Sequence, residues 1–419
     1  MQTTFFILLF LFLQIPALAL NPEQEGQIHC LPCTNCPKKV ESFDLTTINS
    51  NAKGYAGTVT DGKYVYYVPN YFGSETLVAR YDSSKDFDSE NSWSFFNIHT
   101  LGLKGLGYAG AEFDGRYIYF APHNTSKGSY HGAVLRYDTK LPFDKKSSWK
   151  TFDLTQMNSI SRGYIGTGFD GNYIYLIPYG GGVNPYIAKY DVSLNFTDPS
   201  SWEIFDTSLI DSSSRGFIDS VFDGRYLYLS PYHNGLSYHG KTLRYDTKLP
   251  FNLSSSWKII DLVQQVNPAA AGYDGAVANG EYIYYVPYKW GNKPHAYMVR
   301  FNTSQPFAKA SSWEFFDASV LCPGCTGYIG AGTDGRYVYY SPKRNNNAFH
   351  GNMLKYDSKL PFTKASSWQV VKIDDGNSSL RDFDGDITKL KKYIYLSPNG
   401  HPATGFGTWH GNAVRYLVE

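Results

Sequence analysis

The stretch GYAGAEFDGRYIYFAPHNTSKGSYHGAVLRYDTKLPFDKKSSWKTFDL, Gly107 to Leu154, decides the fold, because nearly everything after residue 50 repeats it. It reads as four short strands. Tyr108 to Phe113 and Arg116 to Ala121 are joined at Asp114-Gly115, a hairpin signal of the kind in which both turn positions take positive φ. Ala133 to Tyr137 and Trp149 to Leu154 follow, separated by a polar loop around a proline. The run Tyr117-Ile118-Tyr119-Phe120 is aromatic and branched between turn signals, which suits a strand packed on both faces.

The unit recurs at a fixed period, the signature of a repeat architecture. The Ser-Trp marker of the fourth strand stands at Trp93, Trp149, Trp202, Trp257, Trp313 and Trp368, spaced by 53 to 56 residues. The Tyr-x-Tyr of the second strand begins at Tyr64, Tyr117, Tyr173, Tyr226, Tyr282, Tyr337 and Tyr393. The seventh unit stops after its third strand, and its missing fourth matches Val40 to Leu45 (VESFDL). This predicts an all-β ring of seven four-stranded antiparallel blades, closed by the N-terminal strand, an arrangement that protects the sheet edges. The chain from residue 40 to 419 resembles a seven-bladed β-propeller of kelch-like repeat length. It lacks the kelch double glycine and the Trp-Asp ending of WD repeats. The resemblance implies architecture and no activity.

Residues 1–19 hold an apolar run, Phe5 to Leu13, then Pro16 and Ala17-Leu18-Ala19, a small-residue cleavage pattern. No Lys or Arg precedes the run. The stretch reads as a secretory signal peptide and not a membrane span, so the expected location is extracellular. Residues 20–39 form a cysteine-containing segment ahead of the single propeller domain. A net charge of +1 gives no bulk attraction for nucleic acid or an anionic membrane.

Cys30, Cys33 and Cys36 precede the first strand, and Cys322 and Cys325 lie in the loop leading to blade six. In an oxidising compartment these read as disulfides, with zinc and redox chemistry as the alternatives. Asn-x-Ser/Thr sequons mark Asn124, Asn195, Asn252, Asn302 and Asn377 as glycosylation candidates. Asn195, Asn252 and Asn302 map to one rim, which favours the opposite face as the working surface. Asn124 and Asn377 map to that opposite side.

Three recurring features carry the functional expectations. The loop between strands two and three ends in an aromatic-His-Gly at Tyr130-His131, Tyr238-His239, Phe349-His350 and Trp409-His410, with His295 as a variant. Each imidazole either fixes its loop through backbone bonds or, with its aromatic neighbour, forms one of several equivalent ligand pockets. Arg162, Arg215 and Arg381, like Lys53, stand just before the start of strand one, either pairing with nearby carboxylates or ringing the channel mouth to draw an anionic ligand. Finally, Asp219, Asp274, Asp384 and Asp386 interrupt the Gly-aromatic-Ala/Ile-Gly start of strand one. These carboxylates could pair with the arginines, hold Ca²⁺, or supply a general acid and base. The expected function is a secreted multivalent binding protein for carbohydrate or another extracellular ligand. The alternative is an extracellular hydrolase or lyase at the channel mouth. Repetition speaks for binding, since a catalytic base is normally single.

Overall fold

The computed structural model describes residues 39–71, 73–400 and 409–418. Each repeat folds as one four-stranded antiparallel sheet with its strands in sequence order. In blade two the strands are Leu106–Phe113, Tyr117–Thr125, Ala133–Asp138 and Trp149–Asp153. Blade seven combines Thr388–Leu390, Tyr393–Leu396 and Asn412–Leu417 with Val40–Asp44 from the other end of the chain. The closing pair runs antiparallel with Phe43 opposite Ala413 and Ser42 opposite Val414. Glu41 and Arg415 add an ion pair at 2.7 Å across it. The protein is therefore a seven-bladed β-propeller.

The hairpin joining strands one and two differs from expectation in one respect. Gly115 has φ +98, but Asp114 does not take positive φ. Its side chain does the turning instead: Oδ1 accepts the backbone N–H groups of Arg116 and Tyr117 at 2.8 and 2.6 Å. Oδ2 accepts the Tyr119 hydroxyl at 2.7 Å. An Asx turn of this kind replaces backbone bonds by a carboxylate, so only the glycine needs the left-handed region.

Blades adhere through a repeated aromatic joint. Each marker tryptophan donates its indole N–H to the carbonyl of a phenylalanine six residues earlier, as Trp149 does to Phe143 at 3.0 Å. The indole stacks on the fourth strand of the preceding blade, with Phe96 and Trp149 centroids 4.2 Å apart. Cations close the joint from the side. Arg136 lies 4.1 Å from the ring of its own blade's Tyr117 and 4.4 Å from Phe196 of the next. The Arg136-Tyr137-Asp138 that ends the third strand of blade two is thus part of an inter-blade clamp, built from cation–π contacts and buried aromatic area.

The first strands line the axis and lie close together. A Cβ on Gly110 would sit 2.3 Å from the Ile165 carbonyl oxygen, which is why a glycine recurs there. The loops between strands two and three and those between blades share one face, and the hairpins joining strands one to two and three to four share the other.

Candidate functional site

The five repeated histidines are buried. Nδ1 of each accepts the backbone N–H two residues on, at 3.2–3.3 Å. The Nε2–H of His131 donates to Gly107 O at 2.9 Å, that of His350 to Thr326 O at 2.9 Å, and that of His410 to Asp382 O at 3.3 Å. Each of these carbonyls belongs to the start of strand one in the histidine's own blade. Meanwhile the backbone carbonyl of His131 receives Gly163 N–H from the next blade. One residue therefore ties its loop to two blades. Burial holds the imidazoles of His131, His239 and His295 down to about 4, so they are neutral at pH 7. In His131, His350 and His410 both ring nitrogens meet backbone groups, whereas Nε2 of His239 and of His295 is buried without a hydrogen-bond partner.

Three of the cations before strand one are engaged locally, while Nε of Arg215 is buried without a hydrogen-bond partner. Arg162 donates to Ser159 O at 2.8 Å and Arg381 to Asp374 Oδ2 at 2.6 Å. Lys53 lies 5.1 Å from the Tyr71 ring. Neither Arg162, Arg215 nor Arg381 lines the axial channel. Arg381 and His350 instead border a cleft of about 320 Å³ with Lys372 and Asp374.

The interrupting carboxylates do converge on the axis. Asp219, Asp274, Asp384 and Asp386 line a channel of about 40 Å³ between the inner glycines. Burial pushes Asp386 up to about 6 and, with the charge of Asp386, lifts Asp219 well above the carboxylate range. Burial and the Asp384 charge do the same to Asp274. Glu112, which sequence reasoning passed over, is pushed up to about 7 by burial. A volume of that size holds about one water and no organic substrate. Among the described residues no group of three or more His, Cys, Asp or Glu side chains converges to hold a metal ion.

The larger feature lies off the axis, on the face carrying the loops between strands two and three. Blades five, six and seven enclose a recess of about 450 Å³ there, within the range of small-molecule sites. Its apolar lining is Tyr288, Pro294, Phe349 and Trp409, and its amides are Asn292, Asn345, Asn346 and Asn399. Lys289, Lys343, Arg344 and Asp382 supply the charge.

Two of these lining residues depart from the repeat at structurally fixed positions. Each repeat carries a proline at or near the end of its second strand, and the residue after it is Asn70, His123, Tyr179, Tyr232, Tyr288, Lys343 or Asn399 in blades one to seven. Lys343 is the one cation in that series. Its Nζ meets Asp382 Oδ1 at 2.6 Å, Asp384 Oδ2 at 2.9 Å and Asn399 Oδ1 at 3.2 Å. Burial alone would lower this ammonium, but Asp382 and Asp384 outweigh it and hold the proton more tightly than on a free lysine.

Asp382 occupies the position that is glycine in the other blades. Gly54, Gly163, Gly216, Gly272 and Gly327 take φ between +68 and +74 there, and Asp382 is forced to φ +64. Its backbone repeats the glycine pattern, accepting Asn399 N–H at 3.1 Å just as Gly54 accepts Asn70 N–H at 2.9 Å. Only the side chain is new. A non-glycine residue held in the left-handed region costs about 1–3 kcal/mol, and such strain gathers at functional sites.

Cys322 and Cys325 form a disulfide with Cα atoms 5.3 Å apart. Cys30, Cys33 and Cys36, with the expected leader, lie outside the described residues. Asn195, Asn252 and Asn377 are exposed, whereas Asn124 and Asn302 are half-buried. No family model matches the chain, and none of the curated proteins does. Among the described residues, no helix is long and apolar enough to cross a membrane.

Proposed function

We propose that the protein is a ligand-binding propeller whose working site is the recess between blades five and seven, and that its ligand is a carbohydrate. The observation that carries this is the lining. Aromatic faces at Tyr288, Phe349 and Trp409 suit the C–H faces of a sugar ring, and four asparagine amides offer paired donors and acceptors to hydroxyls. The strained Asp382 and its Lys343 partner form a rigid polar floor. A preorganised floor of this sort lowers the ordering cost of binding. Binding through one such recess, rather than several equal loops, fits the inward-turned histidines. A secreted, glycosylated protein would meet such ligands outside the cell.

The test is a calorimetric titration of the intact protein with oligosaccharides first selected on a glycan array. One site per chain is expected, with affinity falling about tenfold or more in Phe349→Ala, the loss of one aromatic anchor. His131→Gln should bind as the parent does. Several equal sites, or binding indifferent to Phe349, would remove this reading.

A second reading, hydrolysis or lysis of the same ligand, is favoured by one observation. Asp274 and Asp382 carry raised pKa values close to the recess, from burial opposed in both cases by Lys343. Product formation from a bound oligosaccharide, lost in Asp274→Asn, would establish it.

A further inference from the structure

The turn that enters strand one is built alike in five blades and differently in the sixth. Five residues before the left-handed position stand Asn49, Asn158, Asp211, Asn267 and Asn377. In each, Oδ1 accepts the backbone N–H two residues on, at 2.9–3.1 Å. The carbonyl of each accepts the N–H three residues on, at 2.8–3.0 Å. Cys322 occupies that position in blade six. Its carbonyl still accepts Cys325 N–H at 3.2 Å, but a cysteine has no side-chain oxygen to make the Asx bond. The Cys322–Cys325 disulfide closes the turn instead, between the two residues that the backbone bond already joins. Blade six thus fastens with a reducible bond what the other five fasten with a hydrogen bond.

This blade is also the one whose loop between strands two and three walls the recess. The segment at the disulfide bears directly on that loop. Gly324 O accepts Asn345 Nδ2–H at 3.4 Å, and Thr326 O accepts His350 Nε2–H at 2.9 Å. Gly327 O accepts the backbone N–H groups of Lys343 and Arg344 at 3.1 and 3.2 Å. Asn345 passes the constraint on, because its Oδ1 accepts the N–H groups of Asn347 and Ala348, both at 2.9 Å, just before Phe349. Lys343, Arg344, Asn345 and Phe349 all line the recess. The two sulfurs differ in access, since Cys325 is fully buried and Cys322 half-buried beside the exposed Pro323.

We propose that the Cys322–Cys325 disulfide is a redox-sensitive clasp on the recess wall, locked when oxidised and loosened by an external dithiol. One thiolate of the dithiol attacks Cys322 Sγ, the more accessible sulfur, and the S–S bond breaks with its electron pair leaving on Cys325. The second thiolate attacks the external sulfur now bonded to Cys322, which closes the external disulfide and releases Cys322 as a thiolate. Each protein thiolate takes up a proton, so the pair gains the two electrons and two protons that the dithiol loses. Reduction leaves this turn with neither an Asx acceptor nor a covalent tie, and residues 343–350 lose part of their anchorage. The clasp acts whatever the recess binds and stands apart from the carbohydrate reading.

Hydrogen–deuterium exchange of the intact protein, with and without dithiothreitol, tests the clasp, with alkylation and mass measurement counting the free thiols at Cys322 and Cys325. The amides of Lys343, Arg344 and His350 should exchange about fivefold faster once the pair is reduced, the net worth of one hydrogen bond. The matching amides of blade five, Tyr288 and Lys289, bond to Gly272 O at 3.1 and 3.2 Å and should not change. Cys322→Asn/Cys325→Ala gives blade six the Asn267 and Ala270 of blade five, and its exchange should be indifferent to dithiothreitol. Unchanged exchange over 343–350 after reduction, or an acceleration shared by blade five or by the double variant, overturns the proposal. So does a pair that stays oxidised under excess dithiothreitol.

Discussion

Replacing Lys343 by Met removes the cation from the floor of the recess and leaves two carboxylates behind. Asp382 is 1% exposed, so water cannot take the place of the ammonium 2.6 Å away. Breaking a buried pair from one side typically costs about 3–5 kcal/mol, and Asp384 adds like-charge repulsion. The loss should depend on pH in a definite sense. Without Lys343, the folded-state pKa of Asp382 rises further above its unfolded value. The penalty is then full at pH above the folded value and fades as pH falls toward about 4, where the carboxyl is neutral in both states. Urea unfolding of parent and variant at pH 8 and pH 4.5, followed by tryptophan fluorescence, measures both effects. The double variant Lys343→Met/Asp382→Gly restores the glycine of the other blades and removes the buried Asp382 charge and the φ +64 strain, leaving only the more exposed Asp384 without its cation. It should regain most of the lost stability while losing ligand binding. A single variant within about 1 kcal/mol of the parent at both pH values, below the range for a buried pair, would refute the role given to this cluster.

Trp149→Ala empties a joint between blades one and two and should cost roughly 3–5 kcal/mol in the same assay. Glu112→Gln should stabilise the protein at pH 8 by about 2–3 kcal/mol and leave it nearly unchanged at pH 5, because burial holds this acid near 7 and only its ionised form is penalised. His131, His239 and His295 act in the opposite direction. Their folded pKa values near 4 lie below the unfolded value, so their contribution is complete above about pH 6.5 and drains away as pH falls toward about 4. His131→Gln should flatten that acid limb of the unfolding profile and leave ligand binding intact.

The ring was legible because the repeat period and the displaced strand at Val40 are statements about the chain alone. The Asp-Gly hairpins were legible as turns, but not the carboxylate that makes them, since Asx geometry at Asp114 depends on three backbone and side-chain donors at once. The histidine repeats were visible, yet their role depended on partners such as Gly107, 24 residues away from His131 and adjacent only after folding. Asp384 stood out because it breaks the pattern of strand one. Asp382 and Lys343 break the pattern as strongly, at the glycine before that strand and at the residue after the strand-two proline. A comparison of those two positions across the seven repeats holds the signal. Lys289 and Arg344 carry no such mark, because a lysine or arginine in a polar loop is ordinarily solvated. Their shared wall exists only in three dimensions.

The most direct test is a crystal structure of the protein with an oligosaccharide selected on the glycan array. The account predicts density in the recess between blades five and seven, with a sugar ring over Phe349 and Trp409. Density spread over several aromatic-His loops, or confined to the axial channel, would contradict it.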